Sequence, residues 1–364
     1  MKIKVLHVID HLGYGGAPFV VKNIAERIDS ERIETFVCVL RTNPEAIPIE
    51  TTLINLGYHK YNPFVFFAIA KLCKKHEIDM IHAHLQKSIL CCLLASFFCS
   101  AKIIIHEHGP IFRGGTGCIF RGLVKALGSR ATLAIANSQA AKTALVRAGG
   151  FDETSVTVVS NFINLAVLDR TLYDRNEARR RLGLADDHRV VGFVGRLDPC
   201  KGVDLLIEAA ASLCKNDERY RFVIVGDGAQ KNELQNQATR LGLKEKIIFT
   251  GLCKNAAEVM IAFDMAVVPS RREAFGIAAV ELMKMRIPVI ASAVGGLVEI
   301  VRHEETGILL DELSPDAIAT AVDRLARDSA LRERLAEKAE DFSRKFEGAE
   351  QLRQLTEIYK HYAR

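Results

Sequence analysis

Tryptophan is absent from the 364 residues, and aromatic side chains make up only 7% of them. The nine cysteines (Cys38, Cys73, Cys91, Cys92, Cys99, Cys118, Cys200, Cys214, Cys253) form no Cys-x-x-Cys pair and are odd in number. A disulfide frame and a zinc ribbon are therefore excluded, and the thiols read as small buried hydrophobes in a reducing cytoplasm. Long apolar runs are missing too. The longest, 89–99, has eleven residues and includes Ser96. A membrane span needs about 20, so a buried helix is expected instead. No leader is expected, because Asp10 and His11 end the first apolar run after Ile9.

Several catalytic signatures are missing as well. No Gly-Lys-Ser/Thr, no Gly-x-Ser-x-Gly and no Asp-x-Asp occurs, which removes a P-loop, a hydrolase elbow and the usual carboxylate clamp for a metal–nucleotide complex. The dinucleotide fingerprint fails twice: its third glycine falls on Pro18 after Gly13 and Gly15, and on Lys231 after Gly226 and Gly228. Charge is mild and unevenly placed. Residues 1–165 carry 18 Lys and Arg against 12 Asp and Glu, a balance of +6, and the remainder carries 31 against 32. No basic run interleaves with aromatics, so a nucleic-acid partner is not expected. An anionic membrane surface fits the excess better.

What is present is an alternation of short apolar runs and helix-length amphipathic segments, the pattern of βαβ units and parallel sheets. Strands are predicted at 3–9, 34–40, 79–84, 101–106, 132–136 and 155–159, with helices between. An Arg-rich stretch follows, and the pattern restarts with strands at 190–195, 221–226, 246–250, 265–269, 287–291 and 307–310. This gives an α/β chain of two doubly wound, Rossmann-like domains. The first spans 1–165, a linker 166–187, and the second 188–345. Segment 346–364 forms a terminal helix, with Leu352, Leu355, Ile358 and Tyr359 at helical spacing, expected to pack back on the first domain. Ligands of such sheets gather outside the carboxyl ends of the strands.

Four features of the second half lie at those ends. Gly195-Arg196 closes its first strand and Lys201-Gly202 opens the next helix. Two cations at a helix N-terminus suit a diphosphate, through charge and free N–H groups together. Gly226-Asp227-Gly228 ends the second strand in a tight turn. Glu273-Ala274-Phe275-Gly276-Ile277 follows a later strand and leads to Glu281, and carboxylates at such places can accept paired hydroxyl hydrogen bonds from a ribose or hexose. Gly295-Gly296 precedes Glu299 at another strand end.

Taken in order, these motifs resemble glycosyltransferase family 4, the retaining, metal-independent nucleotide-sugar transferases of GT-B architecture, across essentially the whole chain. The resemblance implies two Rossmann-like domains facing across a cleft, the first binding acceptor and the second binding donor. It also implies roles. Arg196 and Lys201 would neutralise the leaving diphosphate, Glu281 would hold the ribose hydroxyls, and Glu273 would contact the transferred sugar. Backbone N–H groups of Phe275, Gly276 and Ile277 would touch sugar and phosphate, with Gly195, Gly226 and Gly228 beside the donor. In the first domain, Gly15-Gly16 resembles the family's glycine loop under the donor phosphates, and His108 its active-site histidine. Two departures stand out: Pro18 replaces a frequent acidic residue, and Asn161-Phe162-Ile163-Asn164 replaces a frequent Asn-Gly-Val-Asp.

The implied reaction moves a hexose or N-acetylhexosamine from a nucleoside diphosphate sugar, a UDP-sugar before a GDP-sugar, to a glycan or lipid-linked hydroxyl. The setting is cell-surface polysaccharide or glycolipid synthesis. No cofactor is expected. A nucleotide-sugar epimerase, for which Glu107 is the one spare carboxylate of the first domain, and a non-catalytic nucleotide-sugar-binding subunit remain as alternatives. His82 and His84 alternate on one strand, as do His106 and His108, so each pair points to one side. No cysteine or carboxylate completes a zinc site, and no metal is expected. Segment 113–130 carries Arg113, Arg121, Lys125 and Arg130 with no acid. Its apolar stripe of Phe120, Leu123, Val124 and Leu127 offers a helix to the inner face of the plasma membrane, or else to the first domain's own core.

Overall fold

Apolar runs too short to span anything become the strands of two separate parallel sheets. The computed structural model describes residues 2–59, 62, 64–109 and 117–363. The first sheet contains β1 (Ile3–Ile9), β2 (Ile33–Val39), β3 (Thr52–Asn55), β4 (Met80–His84), β5 (Lys102–Glu107), β6 (Leu133–Ala136) and β7 (Val156–Val158), in the order β3-β2-β1-β4-β5-β6-β7. The second contains β8 (Arg189–Val194), β9 (Tyr220–Val225), β10 (Ile247–Gly251), β11 (Met265–Val268), β12 (Val289–Ser292) and β13 (Gly307–Leu310), in the order β10-β9-β8-β11-β12-β13.

Every strand pairing within the two sheets is parallel, so the connections cross over a face, and all of them except the β2–β3 link carry a helix. Both faces of the central strands are thus covered, which explains why Val5, Leu6, Val8 and Ile9 are all solvent-free rather than alternating. Strand order reverses between β1 and β4 and again between β8 and β11. At each reversal the crossovers leave in opposite directions and open a crevice outside the strands' carboxyl ends. The twofold α/β doubly wound architecture read from the sequence is the one observed.

The chain divides into a unit of Met1–Ile163 with Gly348–Arg364, and a unit of Asn164–Glu347. The Arg-rich stretch read as a linker with a short helix belongs to the second unit. Its helix Arg175–Arg181 is tied down by Arg175, which donates to the carbonyls of Ile261 (2.9 Å) and Phe263 (2.7 Å) and pairs with Asp264 (2.6 Å). Strand β3 was not anticipated. It is four residues at the sheet edge and mostly exposed, so it lacks the apolar run that marks the others. Among the described residues no helix is long and apolar enough to cross a membrane.

Helix Ala349–Tyr362 belongs to the first unit, where Leu355 and Tyr359 are fully buried. Its core-facing side also takes in Gln351 and Thr356, while Leu352 and Ile358 lie at the margins. The Tyr359 hydroxyl meets His82 Nδ1 at 2.5 Å in the interior. Removing that hydroxyl strands a ring nitrogen without solvent, and a buried polar atom left unpaired costs about 1–3 kcal/mol. Tyr359→Phe should therefore lower the denaturant midpoint of the first unit by a corresponding amount and leave the second unit's transition unmoved. Tryptophan reporters placed one in each unit would read this.

Candidate functional site

In the second unit the crevice is built from loops that leave β8 and β11. After β8 the chain runs through Gly195 and Arg196 to Lys201, and helix Val203–Asn216 begins with no side chain capping it. The positive end of the helix dipole lies there, although the Leu205 N–H already donates to the Gly202 carbonyl at 3.1 Å. Lys201 Nζ reaches Glu273 Oε2 at 2.5 Å, and the two side chains are only 21% and 13% exposed. Ser270 Oγ donates to the same carboxylate oxygen at 3.2 Å, and Ser292 Oγ donates to the Ser270 carbonyl at 2.5 Å. Both serines are solvent-free. Glu273 is thus held from two sides at the mouth of the β8–β11 reversal.

Arg196 behaves differently. It pairs with Asp198 at 2.8 Å and is 65% exposed, so the two cations at this helix start stand in unlike surroundings. Arg271 does not enter the crevice; it forms a bidentate pair with Asp204 (2.7 and 2.6 Å) and donates to the Pro199 carbonyl, clamping the two loops together.

The glycines of these loops have a reason that spacing alone does not reveal. A Cβ on Gly226 would fall 1.9 Å from the Gly195 carbonyl oxygen, and one on Gly295, where φ is +54°, would fall 1.8 Å from that of Glu273. Backbone packs directly on backbone, and no side chain fits between. Gly228 likewise lies against Leu197, so the close approach at 226–228 is first to a neighbouring loop. Phe275 is buried against the edge of Phe346, which leaves its main chain, Gly276 and Ile277 at the uncapped start of helix Ile277–Lys284.

Glu281 lies in the second turn of that helix, and burial pushes its carboxyl up to about 7. No cation among the described residues pairs with it.

In the first unit His108 follows β5 and belongs to a cluster larger than the sequence pairs suggested. Because β1 lies between β2 and β4, His7 joins His82, His84, His106 and His108. His7 Nδ1 meets His84 Nε2 at 3.1 Å, and His84 Nδ1 meets His108 Nε2 at 2.9 Å, a continuous chain of rings. Desolvation holds all five imidazoles below their usual range, His7 and His108 at about 3. The nitrogens of His7, His82 and His84, and of His84, His106 and His108, lie within 4.8 Å of one another in each trio. Neutral imidazoles are competent metal ligands. However, Glu107 alternates to the opposite face, so among the described residues no carboxylate joins these trios to offset a divalent charge.

Glu107 itself is 2% exposed, and its Oε1 accepts from the backbone of His108 (3.1 Å) and Gly109 (3.0 Å). It shapes the turn that carries His108, which is not the position of a base that substrate can reach.

Gly15 and Gly16 open helix Gly16–Arg27 at the carboxyl end of β1, again without a side-chain cap. Beside that strand end, Asp10 pairs with Arg41 and with Lys87 (3.1 Å). Burial alone would raise Asp10, but the bonds from Arg41 and Lys87 hold its carboxyl below the usual range. The sequence reading missed this trio. Its signal was an acid and two bases, each just past a strand end.

Comparison with known proteins follows the same division. The model for Glycosyltransferase Family 4 matches residues 14–167, and that for Glycosyl transferases group 1 matches residues 174–342. A D-inositol 3-phosphate glycosyltransferase of Thermomonospora curvata is 36% identical over 256 residues, 65% of this chain and 59% of that protein. An uncharacterized glycosyltransferase of Methanocaldococcus jannaschii is 34% identical over 213 residues, 57% of this chain and 54% of that one. The chain thus spans little more than half the length of these curated relatives. Among solved structures, HepE of Anabaena in complex with UDP is 26% identical, with a TM-score of 0.81 over 99% of this chain and 100% of that one. The same protein in complex with UDP-glucose is 25% identical, with a TM-score of 0.84 over 99% and 100%. Two doubly wound units with a cation-bearing crevice in the second define a GT-B fold, and the chain belongs to the family 4, group 1 glycosyltransferases.

The raised carboxyl of Glu281 carries a stability signature of its own. Its folded pKa lies above the unfolded value, so its contribution is fully present below about pH 4 and is lost as pH rises through about 7. Glu281→Gln should therefore be more stable than the parent at pH 8, by about 1–3 kcal/mol at roughly 1.4 kcal/mol per pKa unit. The gap should narrow as pH falls to 5. Equal denaturation midpoints across that range would remove the case for a desolvated carboxylate.

Proposed function

We propose that the chain transfers a hexose or N-acetylhexosamine from a nucleoside diphosphate sugar, a UDP-sugar in preference to a GDP-sugar, to a hydroxyl of a glycan or lipid-linked acceptor. Transfer proceeds with retention and without a metal ion, in the cytoplasm, for cell-surface polysaccharide or glycolipid synthesis. The observation that carries this reading is Lys201, held at an uncapped helix start within 2.5 Å of Glu273. A diphosphate arriving there meets a cation and the positive end of a helix dipole together. The UDP and UDP-glucose complexes of HepE support the choice of nucleotide.

As the glycosidic phosphate bond breaks, negative charge gathers on the diphosphate. Lys201 and the helix start oppose it from fixed positions, and the exposed Arg196 joins them by exchanging its Asp198 partner for phosphate. Glu273, released from Lys201 by the phosphate, turns to the hydroxyls of the sugar. Glu281 accepts from the ribose hydroxyls, which return hydrogen bonds to a carboxylate that has none. The N–H groups of Phe275, Gly276 and Ile277 serve sugar and phosphate. Gly195, Gly226 and Gly228 shape the donor loops. Gly15, Gly16 and His108 are the first unit's contribution toward phosphate and sugar.

Lys201→Ala should cut transfer by on the order of 10²-fold or more, as for a lost oxyanion donor, with the unit still folded. Activity should persist in excess EDTA. Incubation with a labelled UDP-sugar distinguishes the readings: transfer or slow hydrolysis supports this one, an isomerised sugar an epimerase, and binding without chemistry a non-catalytic subunit. Normal turnover of the Lys201 variant, or loss in EDTA restored by Mn²⁺, would displace the charge-neutralising role from this helix.

Peripheral contact with an anionic membrane belongs to the same reading, but its surface moves. Part of segment 113–130, residues 113–116, lies outside the described residues, as do the side chains of Phe120 and Arg121. Of the rest, Val124 is buried and Leu127 packs on the core, while Leu123 stays exposed. The support comes instead from Phe64, Phe67, Phe97 and Phe98, which are 63%, 45%, 55% and 43% exposed. Phe67 stands between Phe66 (4.3 Å) and Phe98 (4.7 Å), and the Arg130 guanidinium covers Phe97. Exposed Lys71, Lys74 and Lys75 lie on the same helix, Val65–His76. Exposed phenylalanines with bases on the same helix suit an anionic interface. The chain should sediment with anionic liposomes, less so in added salt, and Phe64→Ser/Phe67→Ser/Phe98→Ser should abolish this. Equal recovery with neutral liposomes would refute it.

A further inference from the structure

Two thiols on the far side of the first unit, near the starts of β4 and β5, lie next to each other. Cys73 sits in the last turn of helix Val65–His76 and is buried; Cys99 follows helix Gln86–Ala95, three residues before β5, and is partly exposed. Cys73 belongs to the unit's hydrophobic core and Cys99 packs against that core, with Cys99 Sγ reaching the Ala95 carbonyl at 3.4 Å. Both line a cavity of about 360 Å³ together with Lys74, Glu77, Asp79 and Ser100. An oxidant can enter such a cavity, whereas the interior thiols of this unit have no such access.

We propose that Cys73 and Cys99 form a redox-active dithiol, in which hydrogen peroxide oxidises Cys99 and Cys73 then closes a reversible disulfide. The Cys99 thiolate attacks the peroxide oxygen, giving a sulfenic acid and releasing water once one proton is supplied. The Cys73 sulfur displaces the sulfenic hydroxyl, which leaves as a second water. Two thiols lose two electrons and two protons to one peroxide.

The surroundings divide the two roles. A hydrogen bond from Cys73, the Ala101 N–H and the Lys74 charge together bring the Cys99 thiol down to about 7, against the pull of its own burial. The same bond keeps the proton on Cys73, whose thiol is pushed far up. Other cysteines go the opposite way: burial lifts Cys38 to about 12 and, as the largest cause, Cys91 and Cys214 to about 11. A low-lying, accessible thiol beside a resolving one is the arrangement that oxidation selects.

The test uses the full folded chain at pH 7. Brief treatment with hydrogen peroxide, alkylation of remaining thiols and peptide mass analysis should yield a linked Cys73–Cys99 peptide. It should be ~2 Da lighter than its reduced parts, for the two hydrogens lost, and dithiothreitol should reverse it. In Cys73→Ser the oxidation should stop at a dimedone-reactive sulfenic acid on Cys99. Without peroxide, iodoacetamide labelling of Cys99 in the parent chain should be half-maximal near pH 7, against about 8.5 for an ordinary thiol. If Cys99 labels no faster than Cys253 at pH 7, or if peroxide gives no linked peptide in the folded parent, the proposal fails. Both readouts are made on the parent chain, so a variant that does not fold cannot obscure them.

Discussion

The second unit depends on a shortage of room: loops from four strand ends pack main chain against main chain, with nothing between. Cβ atoms on Gly202, Gly226, Gly228, Gly295 and Gly296 would lie between 1.8 and 2.5 Å from a neighbouring carbonyl oxygen. Contacts of that kind cannot relax by rotating a side chain. They fix the loops relative to each other before any ligand arrives, and so they fix Lys201 and Glu273 relative to the helix starts that flank them. Gly296 N–H completes the lock by donating to the Glu273 carbonyl at 3.1 Å. The carboxylate is therefore positioned through its own backbone as well as through Ser270. Preorganisation of this sort is what electrostatic catalysis requires, because groups that must reorient during the reaction return less of their stabilisation.

That rigidity has a counterpart in charge. A carboxyl lifted to about 7 in the helix that follows, with no cation to balance it, is a local cost that the fold carries rather than a contribution to it. Lys201 and Glu273 neutralise each other only while both lack another partner. Sites that bind strongly are commonly sites where the free protein is less stable than it could be. The Arg271–Asp204 clamp, a few residues away, shows the alternative: a fully satisfied bidentate pair that holds loops and has no capacity left for a ligand.

Sequence periodicity revealed most of the fold because a parallel sheet buries both faces of its central strands, and the resulting apolar runs are hard to mistake. It missed β3, an exposed edge strand whose residues carry no such run. It located the glycine turns at strand ends but could not say what approached them, since that depends on which loops become neighbours. His7 was hidden for a related reason. The pairs at 82–84 and 106–108 are visible within single strands, but His7 lies beside His82 only because β1 and β4 are adjacent across the strand-order reversal. The Phe64–Phe98 patch needed tertiary structure too, because its residues come from separate segments, each of which reads as the end of an ordinary buried helix.

The two units share a topology and solve its central problem in opposite ways. Each reversal of strand order opens a crevice with helix N–H groups nearby, which favours negative charge. The second unit leaves a cation and an unpaired carboxyl there. The first surrounds its reversal with imidazoles that burial keeps uncharged, and ties Asp10 to Arg41 and Lys87. Fully buried neutral rings linked nitrogen to nitrogen can exchange tautomers, but they cannot hold a diphosphate by charge. The asymmetry puts a cation-bearing crevice in the second unit, whereas burial keeps the rings around His108 uncharged in the first. Two copies of one fold are thus differentiated by where desolvation is allowed to suppress charge and where it is not.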